Sequence, residues 1–367
     1  MTKKKILFVS PYFKPHTGGL ENYVSNIEKG LRDLDWETVV VTSNEKGRGF
    51  QEEIIDGVKV YRLPTLFKIS NTPINPLWYF YLKKILKNEK PDIINGHAPV
   101  PFISDMAALA SGTIPFVLTY HAGSMKKGKL IFDVIIWLYE HILLTYTASK
   151  AERIICPSQF VIDTVLKRFK QKATVITPGV DTSLFKPAEG NGGEKNTVLF
   201  IARFANMYKM KGLYNLIEAV KTLPQVTLKV IGEPIFTDAK NVVFLGTKSI
   251  QETVREMQNC TLLALPSLAH YESFGMVLIE AMACKKPVIG TMIGGIPEVI
   301  ENRVDGILVP SGDIPALTSA IESIMNHPEF AESLAERGFE KVAVKYTWQK
   351  KVEETNEEFS RLVGAKQ

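Results

Sequence analysis

Short apolar runs of strand length alternate with helical stretches along nearly the whole chain. Because a helix that follows a buried strand returns the chain to the same end of the sheet, this alternation predicts an α/β protein with parallel sheets covered by helices on both faces. The predicted strands are 5–10, 37–42, 58–63, 92–96, 116–120, 153–157 and 174–177 in the first half, and 197–202, 227–231, 242–244, 261–265, 288–290 and 306–309 in the second.

The 367 residues predict two domains, since single cores seldom grow beyond about 250 to 300 residues. A stretch rich in Pro, Gly and polar residues runs from Pro178-Gly179-Val180-Asp181 to residue 194 and separates the two alternating series. We therefore predict domains at 1–180 and 181–346, with a last helix at about 347–367.

Composition excludes several classes of protein. Hydrophobic content of 45% and charged content of 23% are ordinary for a soluble globular chain. Three scattered cysteines provide neither a disulfide framework nor a metal site, which favours the cytoplasm. The first apolar run ends at Ser10-Pro11, too early for a signal peptide, and charged residues interrupt the apolar stretch 130–148, so we predict no transmembrane span.

Residues 270–301 contain a helix with a single charge. We predict that the helix covers 274–284 with Ser273 as its N-cap, and that it is buried because apolar residues occur on every side. Glu280 is its only charged residue, and a buried carboxylate costs several kcal/mol unless a donor meets it. We therefore expect a polar partner for Glu280.

Two interpretations of this stretch remain open from the residues alone. It is either a capped core helix whose Glu280 pairs with an Arg or Lys elsewhere, or an anion site. In the second case Glu272 precedes the helix, and the free N–H groups of Gly275, Met276 and Val277 hold the anion. Two carboxylates beside an anion site suit a ligand rich in hydroxyls, such as a phosphorylated sugar.

The spacing of Glu272 and Glu280, with Ser273-Phe274-Gly275 between them, resembles the E-x7-E motif of the retaining GT-B glycosyltransferases of the GT4 family. The loop 294–298 (GGIPE) and Asp305-Gly306 extend the resemblance over about 40 residues. It implies two Rossmann-like domains that face each other across a cleft, the first binding the acceptor and the second the nucleotide-sugar donor. It also implies that the last helix crosses back to the first domain.

Arg203 follows a predicted strand, and Lys211-Gly212 opens the next helix. A bidentate Arg and a Lys point charge suit a diphosphate, and the resemblance assigns them that role. Their separation exceeds the usual spacing, so either the loop 204–210 bulges or Lys209 replaces Lys211.

Residues at predicted strand ends in the first domain form a second group of candidates. Gly18-Gly19 lies at a strand-loop-helix junction where backbone N–H groups can approach a phosphate, although such a pair is more often a simple turn. His97 and His121 each follow a strand, at the edge where α/β sheets bind ligands. Asn95 and His97 resemble the family's strand-end motif and are acceptor-side candidates.

The resemblance implies transfer of a hexosyl group from a nucleoside diphosphate sugar, UDP- or GDP-linked, to an acceptor hydroxyl with retention. It assigns catalysis to His121, Arg203, Lys211 and Glu272. It assigns donor binding to Gly18, Gly19, Ser273, Phe274, Gly275, Met276, Val277 and Glu280. No nucleophile, cofactor or metal is expected, since front-face attack needs no nucleophile and the site has no D-x-D carboxylate pair. A GT-B epimerase or phosphorylase, and a non-catalytic binding protein, are the alternatives.

The basic residues are concentrated in the first half. Residues 1–180 hold 24 Lys and Arg against 16 Asp and Glu, while the rest holds 20 against 23. The basic loop 124–129 precedes an aromatic-bearing stretch, and 79–90 is similar. This favours either a peripheral contact with an anionic membrane and a lipid-linked or glycan acceptor, or a solvated basic surface. No nucleic-acid motif is present.

Overall fold

The computed structural model describes residues 3–16, 18–45, 47, 49–69, 72–123, 125, 130–190, 193–268 and 272–364. The chain divides into two compact units. Unit 1 is Met1–Thr177 with Lys351–Gln367, and unit 2 is Pro178–Lys350. The division lies close to the predicted one at 180/181, and most of the last helix belongs to unit 1.

Unit 1 is built on a mostly parallel sheet with the strand order β10-β9-β8-β7-β1-β2-β4-β3. Its strands are β1 (Lys5–Val9), β2 (Glu37–Asn44), β3 (Gln51–Ile55), β4 (Val58–Pro64), β5 (Phe67–Ile69), β6 (Thr72–Ile74), β7 (Ile93–Ala98), β8 (Phe116–Tyr120), β9 (Arg153–Cys156) and β10 (Ala173–Val175). Its helices are α1 (Gly19–Asp33), α2 (Trp78–Glu89), α3 (Ile103–Ala110), α4 (Leu130–Tyr139), α5 (Thr145–Lys150) and α6 (Gln159–Thr164), with a π turn at Glu140–Leu144 and a 3₁₀ turn at Lys167–Lys172.

Alternating side chains of this sheet pack against two helix layers. Leu7 and Val9 of β1 belong to the core that includes residues of α2, α3, α5 and α6. On α1, Gly30 contacts Val352 of the last helix so closely that an added Cβ would lie 2.3 Å from it. The predicted parallel α/β organisation of unit 1 is therefore confirmed.

The strand β3 and the β5–β6 hairpin were not predicted from the sequence. β3 is the one antiparallel strand of the large sheet in the part of unit 1 that the structure describes, and it pairs only with β4. Its sequence, QEEII, is polar and mostly exposed. An edge strand buries little surface, so it needs no apolar pattern that could reveal it.

Unit 2 has a parallel sheet with the order β13-β12-β11-β14-β15-β16. Its strands are β11 (Thr197–Ile201), β12 (Thr227–Ile231), β13 (Val242–Gly246), β14 (Leu262–Leu265), β15 (Val288–Thr291) and β16 (Ile307–Val309). Its helices are α7 (Tyr208–Lys211), α8 (Leu213–Lys221), α9 (Ile250–Asn259), α10 (Met276–Ala283), α11 (Ile296–Val299), α12 (Ile314–Asn326) and α13 (Pro328–Lys345); α14 (Trp348–Gly364) continues into unit 1. The strands predicted for the second half are all present.

Candidate active site

The loops that follow β11 and β14 leave the same edge of the unit 2 sheet. β11 lies between β12 and β14, so the chain runs to one side of β11 first and to the other side later. Parallel sheets bind ligands at the carboxyl ends of their strands where the strand order reverses in this way. The predicted donor residues of unit 2 lie on these two loops and on the helix that follows β14.

The loop after β11 is fixed against the loop after β14. The Leu268 N–H donates to the Met210 carbonyl at 2.8 Å. Gly212 has φ +77°, and a Cβ there would lie 1.8 Å from the Pro266 carbonyl oxygen, so only glycine fits. Between Arg203 and Lys211 the chain forms a 3₁₀ turn (Ala205–Met207) and the short helix α7. A bulge of residues 204–210 was one of the two predicted alternatives.

This anchoring brings Lys211 to the first carboxylate of the E-x7-E motif. Lys211 Nζ lies 3.4 Å from Glu272 Oε2, and both side chains are largely buried. Lys209 is exposed on the same short helix. The structure thus places Lys211, rather than Lys209, in ion-pair contact with the carboxylate cluster.

Glu280 is desolvated, and no side chain in the described parts of the chain donates a hydrogen bond to its carboxylate. Burial raises the pKa of this carboxyl to about 7, and the Lys211 ammonium opposes that rise without cancelling it. The residue nevertheless remains partly accessible. The first interpretation predicted an Arg or Lys that pairs with Glu280. Within the described ranges no Arg or Lys donates a hydrogen bond to this carboxylate, so it can still accept hydrogen bonds from a ligand.

The helix that carries Glu280 begins later than predicted. It starts at Met276, and its N-cap is Gly275 rather than Ser273. Gly275 has φ +96°, a left-handed conformation that the preceding Ser and Phe adopt poorly. Phe274 is buried, with its ring edge-on to Tyr346 at 5.5 Å, so its side chain holds the helix in the core.

Gly294 and Gly295 pack against the backbone at the start of the E-x7-E motif. The Gly295 N–H donates to the Glu272 carbonyl at 2.9 Å. A Cβ on Gly294 would lie 2.3 Å from that carbonyl oxygen, and one on Gly295 would lie 2.1 Å from the Ser273 carbonyl oxygen. The GGIPE loop therefore positions Glu272 through close backbone contact. This role was not predicted, although the glycine pair was the available signal for it.

Arg203 lies on the same loop as Lys211, two residues beyond the end of β11. It is exposed, and its guanidinium lies over the Phe204 ring at 5.3 Å. A hydrogen bond anchors this loop: the Ala205 backbone N–H donates to Glu233 Oε2 at 2.9 Å. This anchor was not predicted, because Glu233 follows a different strand.

In unit 1 the two predicted histidines contact each other. His97 is the penultimate residue of β7, and His121 directly follows the neighbouring strand β8. His97 Nδ1 lies 2.9 Å from His121 Nε2. Burial and the neighbouring His121 hold the pKa of His97 well below its usual range, and burial lowers the pKa of His121 to about 3. Both imidazoles are therefore neutral at pH 7.

The Asn95 side chain forms hydrogen bonds within the unit 1 sheet. Its side chain is 1% exposed, and its amide nitrogen donates to the Val117 carbonyl at 3.2 Å and to Thr119 Oγ1 at 2.9 Å. Both amide N–H groups are thus engaged with β8. A contact of Asn95 with an acceptor stays a prediction, and its observed role is to hold the strands that carry the histidines.

The Gly18-Gly19 junction holds a carboxylate from its own helix. A Cβ on Gly18 would lie 2.4 Å from Glu21 Oε2, while Gly19 has open space around it. Glu21 is buried and lies 2.9 Å from His16 Nδ1. Its negative charge occupies the helix start at which a phosphate was predicted. Phosphate contact by Gly18 and Gly19 stays a prediction, and Glu21, an acid in the first turn, was the overlooked signal.

Some residues singled out from the sequence lie outside the described residues, among them His270, Lys126, Lys127 and Lys129. Within the described ranges, no group of three or more His, Cys, Asp or Glu side chains could hold a metal ion.

Two family models match adjacent parts of the chain. Residues 17–184 match the model described as Glycosyltransferase Family 4, and residues 181–341 match the one described as Glycosyl transferases group 1. Together they cover residues 17–341 of the chain.

Curated relatives match over nearly the whole length. An uncharacterised glycosyltransferase of Methanocaldococcus jannaschii is 29% identical over 94% of this chain and 95% of its own length. The phosphatidyl-myo-inositol mannosyltransferase of Mycolicibacterium smegmatis is 25% identical over 94% of this chain and 90% of its own. Among solved structures, sucrose-phosphate synthase from Thermosynechococcus elongatus superposes with a TM-score of 0.77 at 20% identity, over 99% of this chain and 100% of that one. The last comparison confirms the predicted fold.

Proposed function

Because this chain belongs to the GT4-type glycosyltransferases and has their GT-B fold, we propose that it moves a hexosyl group from a nucleoside diphosphate sugar to an acceptor hydroxyl with retained anomeric configuration. UDP- and GDP-sugars are the proposed donors. Unit 2 is proposed to bind the donor, and unit 1 the acceptor.

The cluster of Lys211, Glu272 and Glu280 carries this proposal. A cation 3.4 Å from one carboxylate, and close enough to a second to affect its pKa, suits a ligand that combines phosphate with hydroxyl groups. Glu280 would accept hydrogen bonds from the ribose, and Glu272 from the sugar. A structural ion pair would satisfy Glu272 alone and would leave Glu280 desolvated for no purpose.

The proposed mechanism is mainly electrostatic. The bond from the anomeric carbon to the diphosphate breaks while the acceptor oxygen attacks on the same face, and the acceptor proton passes to the departing phosphate oxygen. Arg203, Lys211 and the first-turn N–H groups of Met276 and Val277 would stabilise the charge that develops on the leaving group. These groups need no metal ion to supply the positive charge, and His121 would contact the transferred sugar.

A thermal-shift panel tests the donor assignment. We expect UDP or GDP, at 100 times its dissociation constant, to stabilise the protein by about 2.7 kcal/mol. No shift with any of UDP, GDP, ADP and their sugar conjugates would contradict a nucleotide site. Product analysis with the stabilising sugar nucleotide then separates the reactions. A new glycoside formed only with acceptor supports transfer, whereas conversion without acceptor supports an epimerase or phosphorylase.

We also propose that unit 1 contacts an anionic lipid surface and that the acceptor is lipid-linked or an envelope glycan precursor. Val134, Leu138, Ile142 and Tyr146 recur every fourth residue through α4, the π turn and α5, and all are more than 40% exposed. Trp137 on the same segment is 50% exposed. An apolar helical face next to a basic sequence suits an interfacial contact. Among the described helices, none is both long and apolar enough to cross a bilayer.

Flotation with liposomes tests this surface. We expect Ile142→Asp to lower binding to anionic vesicles roughly tenfold or more, because it replaces an apolar side chain worth about 1.5–3 kcal/mol on burial with a carboxylate. Val344→Asp is the matched control, since Val344 is a comparably exposed aliphatic residue on α13 of unit 2. Equal, negligible binding of the unaltered protein to zwitterionic and anionic vesicles would remove the membrane proposal.

A further inference from the structure

The contact between His97 and His121 allows only one proton between the two rings. Their facing nitrogens, His97 Nδ1 and His121 Nε2, lie 2.9 Å apart. Each imidazole is neutral, because its pKa is lowered by burial, and a neutral imidazole has one N–H donor and one acceptor nitrogen. One ring must therefore donate and the other accept, and the choice fixes the tautomer of both.

The second nitrogen of His97 favours one of the two arrangements. His97 is 0% exposed, and its Nε2 has no hydrogen-bond partner among the described residues. The ring is stacked with Phe8 at 6.0 Å and meets Tyr23 edge-on at 6.0 Å, so its surroundings are largely aromatic. An N–H group buried without an acceptor is rarer in proteins than an acceptor left without a donor. The proton of His97 is thus better placed on Nδ1.

We propose that His97 is a positioning residue that donates from Nδ1 to His121 Nε2 and so holds His121 as the tautomer protonated on Nδ1. His121 then carries its ring proton on Nδ1 at neutral pH while its ring is fixed at the end of β8. The surroundings support a fixed ring, since Tyr23 meets His121 edge-on at 4.7 Å and the His121 backbone N–H donates to the Ala98 carbonyl at 2.9 Å.

The consequence for catalysis rests on the proposed function, in which His121 contacts the transferred sugar. If His121 is already protonated on Nδ1, it can donate a hydrogen bond to a sugar oxygen without a prior change of tautomer. The free imidazole would otherwise divide between two tautomers, and only one would offer a proton at the required nitrogen.

A matched pair of variants isolates the donor. The amide nitrogen of His97→Asn can replace the Nδ1–H group, whereas His97→Leu has a similar volume and no donor. We expect His97→Leu to lower kcat roughly 10- to 100-fold, as for the loss of one hydrogen bond at a reacting group, and His97→Asn to restore most of it. Equal losses in the two variants would mean that the imidazole only fills space, and would overturn the proposal.

Long-range ¹H–¹⁵N spectra of the full chain report the tautomer directly, with His121→Asn used to assign the signals. We expect a protonated Nδ1 and an unprotonated Nε2 on His121 in the unaltered protein and in His97→Asn, and loss of this single tautomer in His97→Leu. A protonated Nε2 in the unaltered protein would overturn the proposal. The expected tautomer together with full turnover in His121→Asn would instead reject the sugar contact assigned to His121, and would leave the tautomer assignment intact.

Discussion

Replacing Lys211 with alanine is expected to lower kcat of sugar transfer by about 10²- to 10³-fold. Its ammonium, next to Glu272 and electrostatically coupled to Glu280, is the positive charge of the described cluster. Charge on the diphosphate is greatest as the bond to the sugar breaks, so the loss should appear mainly in kcat rather than in KM. Steady-state kinetics with the stabilising sugar nucleotide measures both.

Lys209→Ala is the matched control for this prediction. It removes the same kind of charge two residues away, from an exposed position on α7. We expect it to change kcat less than about threefold, since an exposed charge is screened by solvent. Arg203→Ala should fall in the same range as Lys211→Ala if Arg203 contacts the diphosphate. Full turnover in Lys211→Ala with a large loss in Lys209→Ala would reverse the assignment of the two lysines.

The second large effect concerns the pH dependence of nucleotide binding. Glu280 has a pKa of about 7 without ligand, and only its ionised form can accept hydrogen bonds with both oxygens from a ribose. Binding therefore requires the proton to leave, so affinity should rise with pH. We expect the Kd of UDP or GDP to be about tenfold lower at pH 8 than at pH 6, because most of the carboxyl is protonated at the lower pH.

Glu280→Gln is the control, measured by titration calorimetry over the same pH range. The nucleotide phosphate also titrates near neutral pH, but it does so equally in both proteins, so the difference between them isolates Glu280. We expect weaker binding by the variant and a flatter pH profile. Parallel pH profiles for the two proteins would show that the Glu280 carboxyl does not contact the nucleotide.

The same carboxyl affects stability in the opposite direction. Its folded-state pKa lies above the unfolded value of about 4.5, so its contribution to stability is complete below pH 4.5 and is lost as pH rises through 7. The loss is on the order of 3 kcal/mol. This is a cost of keeping a desolvated carboxylate ready for a ligand, and nucleotide binding would offset it.

Local patterns in the sequence were enough to predict the elements and their class. Buried strands such as β1 and β8 are nearly continuous apolar runs, and burial on both faces of a parallel sheet favours such runs. The stretch rich in Pro and Gly that begins at Pro178 also indicated where the chain divides, near residue 178. The weakly buried edge strand β3 escaped prediction because its environment imposes no pattern.

The tertiary structure decided which of these residues meet. The sequence by itself determined the two α/β series, the two carboxylates of the E-x7-E motif and the histidines at strand ends. It could not show that Lys211, rather than Lys209, pairs with Glu272, because that contact depends on Gly212 packing against Pro266, which directly follows β14. Nor could it show that His97 bonds to His121, or that no described side chain donates to Glu280. The spacing of apolar residues reflects only how each segment is buried. Which side chains pair depends on which loops the strand order brings to one edge of the sheet.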